Sequence, residues 1–103
     1  MPVTVVMVPA SIQVCEPGDL AYYPRVLDIN DSSRFDLEQP QRIIAELAEP
    51  LGWSFADLRP ALQSADRCPY QPHNMHWLEH GHELVADYVG NVLIEEAIVQ
   101  ASP

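Results

Sequence analysis

Strand content is what most constrains this chain. Only two stretches of its 103 residues read as β-strand. Residues 3–8, Val-Thr-Val-Val-Met-Val, are an almost unbroken β-branched run. Such a run suits a strand buried on both faces of a parallel sheet. Pro9 has no N–H to donate and stops the ladder, with residues 11–14 a candidate for a short continuation. The second stretch, residues 53–57, reads Trp-Ser-Phe-Ala-Asp and ends in Asp57. A helix is predicted between them. Asp36 can cap it, and Pro40 is tolerated in a first turn. Ile43, Ile44, Leu47 and Leu51 share one face at helical spacing. Pro50 ends the regular ladder and Gly52 closes it. Burying a residue such as Leu47 is expected to stabilise by about 1.5–3 kcal/mol.

Residues 58–63 are expected to form one or two helical turns despite Pro60, and residues 64–74 a loop with Pro69 and Pro72. The clearest helix covers residues 81–98. There Leu84, Val85, Tyr88, Val89, Val92 and Leu93 form one apolar stripe. Gly90 costs up to about 1 kcal/mol relative to Ala, so a close helix–sheet approach is expected at it. Residues 15–34 are irregular. Pro17-Gly18-Asp19 and Asn30-Asp31-Ser32-Ser33 are turn chemistry. The apolar, aromatic residues 20–27 between them are expected to pack on something.

The order strand, loop, helix, strand, loop, helix implies α/β packing with a parallel sheet. Two strands make a poor sheet alone, and residues 3–8 would keep an open edge and an uncovered face. Residues 1–103 therefore read as a single partial domain that belongs to a larger one or borrows strands from a partner.

Composition narrows the partners. The chain is 48% hydrophobic, enough for a core. Five Lys and Arg against 15 Asp and Glu leave a net charge of −10. Phosphate binding needs clustered basic residues, so no nucleic-acid partner is expected, and no anionic membrane surface either. The acidity reads as solubility. No apolar run is long enough to span a bilayer, and the first residues lack the flanks of a signal peptide. The compartment is left open. Cys15 and Cys68 are too few for a disulfide scaffold or a Cys-rich zinc module. They are free to pair, but unpaired thiols are the expectation unless the protein is exported.

All four histidines fall within residues 73–82. His73, His76, His80 and His82 lie at spacings of three, four and two. His76 and His80 suit one helix face, as zinc-binding pairs do. However, Glu79 and Glu83 are misplaced for a His-Glu-x-x-His site, and no Cys pair accompanies them. No metal is expected. General base chemistry fits better. Loops at the carboxyl ends of parallel strands carry the chemistry of α/β domains, and residues 70–77 should lie at that edge. A histidine there titrates near neutrality and can take a proton from a hydroxyl. Its second nitrogen needs an acceptor to fix the tautomer, and Asn74 stands two residues before His76.

These residues carry a resemblance. Asn74-x-His76-Trp77-x-x-x-Gly81-His82, followed by Leu84-Val85-Ala86-Asp87, resembles the carboxyl-terminal signature of the SGNH (GDSL-like) hydrolases. It is closest to the branch of alginate O-acetyltransferase-like proteins, where the usual form is Asp-x-His-Trp and then Gly-His. Val5-Val6-Met7-Val8-Pro9, Pro40-Gln41-Arg42 and residues 52–58 are similar to other blocks of that family. The resemblance spans nearly the whole chain but only the second half of the family's domain. It implies a flavodoxin-like, partial doubly wound parallel sheet. It also implies His76 as the triad base and Asn74 in the place of the acidic partner, in a cofactor-free acyl transfer on O-acyl esters. The substrate would be a small-molecule or carbohydrate ester, with acetylated carbohydrate one candidate. The nucleophile block is missing: Gly18-Asp19 is followed by Leu20, and Ser11, Ser32, Ser33, Ser54 and Ser64 lack the motif. The chain alone is therefore expected to be inactive. It would pair with an amino-terminal half or with its own copies. The rival reading is a non-catalytic α/β binding or structural domain.

The remaining candidates have plainer expectations. His82 should pack at a helix start, and His73 and His80 should face solvent. Trp77 should anchor its loop to the core, and Asp57 should cap the next turn. Tyr22 and Tyr23 should pack rather than line a cleft, and Cys68 should be a buried thiol.

Overall fold

The two strand segments do pair, and in parallel. In the computed structural model, which describes residues 2–23 and 26–101, β1 (Thr4–Met7) lies beside β2 (Ser54–Asp57). Val5 stands opposite Phe55 and Val6 opposite Ala56. Helix α1 (Gln39–Ala48) forms the crossover between them. Two further helices, α2 (Arg59–Gln63) and α3 (Glu79–Ala101), complete a mixed α/β chain with a two-stranded parallel sheet among the described residues.

The terminators act as their chemistry dictates. α1 begins with Pro40 in its first turn and gives way to a 3₁₀ turn, Glu49–Leu51, that contains Pro50. Gly52 then takes the left-handed conformation, with φ of 67°, which favours a residue without Cβ. Asp36 acts two residues before the formal cap, Glu38. Its Oδ1 accepts the Glu38 N–H at 3.1 Å. Asp57 accepts the Arg59 N–H at 2.9 Å and pairs with its guanidinium at 2.8 Å, setting up α2.

Several expectations are corrected. Residues 11–14 do not prolong β1. Ser11–Gln13 is a 3₁₀ turn, as the missing Pro9 donor favours. β1 is not buried on both faces: Val6 is exposed, as is Val8 just beyond the strand, and no third strand flanks the pair among the described residues. Leu47 is 60% exposed, with Ile43 and Leu51 similarly open. α1 instead turns Gln41, Ile44, Ala45 and Ala48 inward, a second face at helical spacing. The Gln41 amide is buried and exchanges hydrogen bonds with Gln13 at 2.8 and 3.2 Å. This polar lock directs the helix one face away from the apolar stripe, because a buried amide must be satisfied. The close approach expected at Gly90 is absent, since a Cβ there would meet nothing within 4 Å.

Cys15 and Cys68 are not free thiols. They form a disulfide with a Cα–Cα distance of 5.3 Å. Sequence separation of 53 hides the pairing, because spacing carries no connectivity for two distant cysteines. The core gathers around this bond. Leu20, Tyr23, Ile29, Leu58, Leu62 and Tyr70 form one buried cluster with Cys15, and Val85, Tyr88 and Val89 of α3 pack against it. Residues 20–27 thus find the packing partner expected of them, through Leu20 and Tyr23; Pro24 and Arg25 lie outside the described residues. The Cα radius of gyration is 15.8 Å, against roughly 13 Å for a compact domain of this length. The excess reflects α3, about 34 Å long, whose Leu93, Ile94 and Ile98 are exposed. No described helix is long and apolar enough to cross a membrane.

Candidate active site

The histidine loop is built from its base upward. Tyr70 and Trp77 form an antiparallel bridge. On one side of it the Leu78 N–H donates to Pro69 O at 2.7 Å. On the other the Gln71 N–H donates to His76 O at 2.8 Å. Residues 71–76 are therefore a closed loop with its ends paired. Trp77 packs against the core cluster, the anchoring expected of it. The Cys15–Cys68 bond fixes the chain two residues before Tyr70.

Helix α3 starts directly after the bridge, and Gly81 permits its approach. A Cβ on Gly81 would lie 2.8 Å from Pro69 O and 3.0 Å from Trp77 Cβ, closer than a real Cβ tolerates. The glycine of the Gly81-His82 pair is thus explained by packing. His82 stacks edge-on against Trp77 with centroids 5.3 Å apart. His73 is exposed as expected. His80 departs from expectation: it is half-buried, and its Nε2 is out of solvent with no hydrogen-bond partner.

Two contacts set where the loop sits. The buried Tyr70 hydroxyl donates to Pro9 O at 2.8 Å, and the Ala21 N–H donates to Pro72 O at 2.7 Å. Pro9 lies just past the carboxyl end of β1, so residues 70–77 stand at the edge where α/β domains place their chemistry. Burial pushes the Tyr70 phenol above its ordinary pKa, partly opposed by the Trp77 indole beside it. Nothing in the sequence singles out Tyr70. A tyrosine between two prolines carries no motif, and only its three-dimensional partner reveals its part.

At the tip, His76 is exposed. Asn74 organises the turn beneath it. Its Oδ1 accepts the backbone N–H of His76 at 2.9 Å, and its Nδ2 donates to Gln71 Oε1 at 2.9 Å. The amide thus holds the backbone that carries the imidazole. Between them, Met75 reaches a cavity of about 600 Å³ that borders the residues after β1 and the irregular segment. Tyr22 and Tyr23 line this cavity, so the two tyrosines do face a cleft. Among the described residues, no three His, Cys, Asp or Glu side chains come together as metal ligands would. Comparison with protein-family models, curated proteins and solved structures gave no match.

Proposed function

We propose that this chain is the carboxyl-terminal part of an SGNH-type esterase or O-acyltransferase domain. In that reading the β1–β2 pair is one edge of a doubly wound parallel sheet. His76 takes the proton of a serine supplied from outside this sequence, then returns it to the leaving alcohol. The ester substrate is an O-acyl compound, with acetylated carbohydrate the candidate drawn from the resemblance. The observation that carries the proposal is the placement of His76. It is exposed on a paired loop pinned to Pro9, at the carboxyl end of a parallel strand. An exposed imidazole at that edge is free to meet a hydroxyl.

Asn74 favours the rival, non-catalytic reading. A triad needs an acceptor on the second imidazole nitrogen. An Asp-to-Asn change at that place lowers the rate about 10⁴-fold in a serine protease. Asn74 spends its oxygen on the His76 backbone instead. The disulfide adds a statement about place, since such bonds persist in oxidising compartments.

The test is hydrolysis of p-nitrophenyl acetate by this chain and by a longer product that includes upstream coding sequence. The enzyme reading expects activity in the longer product only, abolished by His76→Ala. Unchanged activity in His76→Ala, or none in the longer product, rejects it in favour of a binding or structural domain.

A further inference from the structure

The cavity beside Met75 has a chemical character of its own. Its volume of about 600 Å³ falls in the range of small-molecule sites. Ile12, Tyr23, Ile29, Phe35, Leu37 and Met75 supply apolar wall. Few polar groups line it, and they are unevenly spent.

Asp36 is occupied. Its Oδ1 accepts the Glu38 N–H and its Oδ2 is held by Arg42. Arg34 also lines the cavity, but its guanidinium has no carboxylate partner among the described residues. The buried Ser11 hydroxyl is bonded to the Tyr22 hydroxyl. Among the described lining residues, the wall therefore offers the Arg34 guanidinium as a cationic fork, while the one carboxylate, Asp36, is neutralised.

We infer that this cavity binds a small amphiphilic organic anion, with the apolar body against Ile29, Phe35 and Leu37 and the anionic head on Arg34. A chain of net charge −10 attracts no anion through its overall field. Recognition therefore depends on this local guanidinium, whose planar fork matches a carboxylate. The inference stands apart from the acyl-transfer reading, because it needs only binding and no nucleophile.

The methionines make the test local. Met75 lines the cavity, whereas Met7 belongs to β1 and does not. With ¹³C-methyl methionine, titration with octanoate should shift the Met75 methyl saturably and leave Met7 in place. Octanol and octylammonium should bind about tenfold more weakly. Arg34→Gln should weaken octanoate about tenfold, the scale of a lost charged hydrogen bond, and leave octanol unchanged. Leu27→Trp, which fills the cavity from a half-exposed position, should abolish the Met75 shift. A still Met75, equal shifts at Met7, equal affinity for the three amphiphiles, or an unaffected Arg34→Gln would overturn the inference. The same octanoate titration in His76→Ala should match wild type, so failure of the acyl-transfer reading leaves this result untouched.

Discussion

Two regions of this chain spend similar side chains in opposite ways. Around the disulfide, Leu58 and Leu62 are 0% exposed and Tyr70 2%. These three residues, with Cys15, Leu20, Tyr23 and Ile29, close on one another and on the near half of α3. Around the sheet, Val6, Val8, Ile43, Leu47, Leu51 and Trp53 are all exposed. The difference lies in surroundings rather than hydrophobicity. The first region has a covalent tie, a buried tyrosine and a helix folded over it. The second has two strands and one helix that already spends its inner face on Gln41, Ile44, Ala45 and Ala48. The apolar stripe left over on α1 meets no further layer among the described residues.

The sharpest way to break the comparison is to cut the tie. Cys15→Ser with Cys68→Ser opens a loop with a sequence separation of 53. Chain-entropy arguments put the loss at about 4 kcal/mol. Urea denaturation should show this loss, and dithiothreitol should reproduce it in the unmodified chain. Equal stability with and without the bond would mean that the first region closes by packing alone. The next effect in size is Leu62→Ala, expected to cost about 3 kcal/mol through lost burial and a cavity. A loss under about 1 kcal/mol would show that this core is as loosely engaged as the sheet face.

What could be read from the sequence divides along the same line. Local chemistry is legible: the strand at β1, Pro40 in the first turn of α1, Pro50 and Gly52 beyond its end, and the near part of the α3 stripe, Val85, Tyr88 and Val89, each follow from neighbours a few residues away. Leu93, expected on the same stripe, is exposed because the far half of α3 has passed the core. The place of the histidine loop is legible too, because parallel strands fix which edge carries loops. Three things are not legible, and each depends on distant partners. The Cys15–Cys68 bond joins residues with no shared motif. The inward face of α1 is chosen by Gln13, which meets Gln41 only in the fold. The glycine that permits close approach is Gly81 rather than Gly90, and its constraint comes from Pro69, not from its own helix. At the candidate site, the sequence places Asn74 and His76 in one loop, but the direction of the Asn74 amide depends on loop geometry that spacing does not encode.

Tyr70 links the two regions, because its hydroxyl crosses from the core cluster to Pro9 after β1. Tyr70→Phe removes that donor and leaves the Pro9 carbonyl without it, which should cost about 1–2 kcal/mol. A pH signature accompanies the loss. Burial raises the Tyr70 pKa in the folded chain, so the unfolded chain releases its phenol proton first as pH climbs. The contribution of Tyr70 to stability is therefore intact below about pH 10, the ordinary phenol value, and is lost as pH rises through the raised value. Tyr70→Phe should flatten that alkaline limb in thermal melts. An unchanged limb would assign the fall to other groups and detach Tyr70 from the link.

The smallest effect is the most telling for the second region. Leu47→Lys places a charge on the outer face of α1, where the side chain is 60% exposed. A buried leucine so treated would cost several kcal/mol. Here the change should stay within about 0.5 kcal/mol, because little apolar surface is withdrawn from water and lysine is an adequate helix former. The same substitution distinguishes an idle stripe from one that meets a partner. Sedimentation of the unmodified chain at rising concentration, beside Leu47→Lys, reads this directly. If copies of the chain cover the stripe, the unmodified protein associates and Leu47→Lys does not. In that case the apparent stability of the unmodified protein rises with concentration while that of the variant stays flat. If both remain monomeric with equal melts, the contrast between the two regions belongs to the isolated chain. The stripe on α1 is then idle.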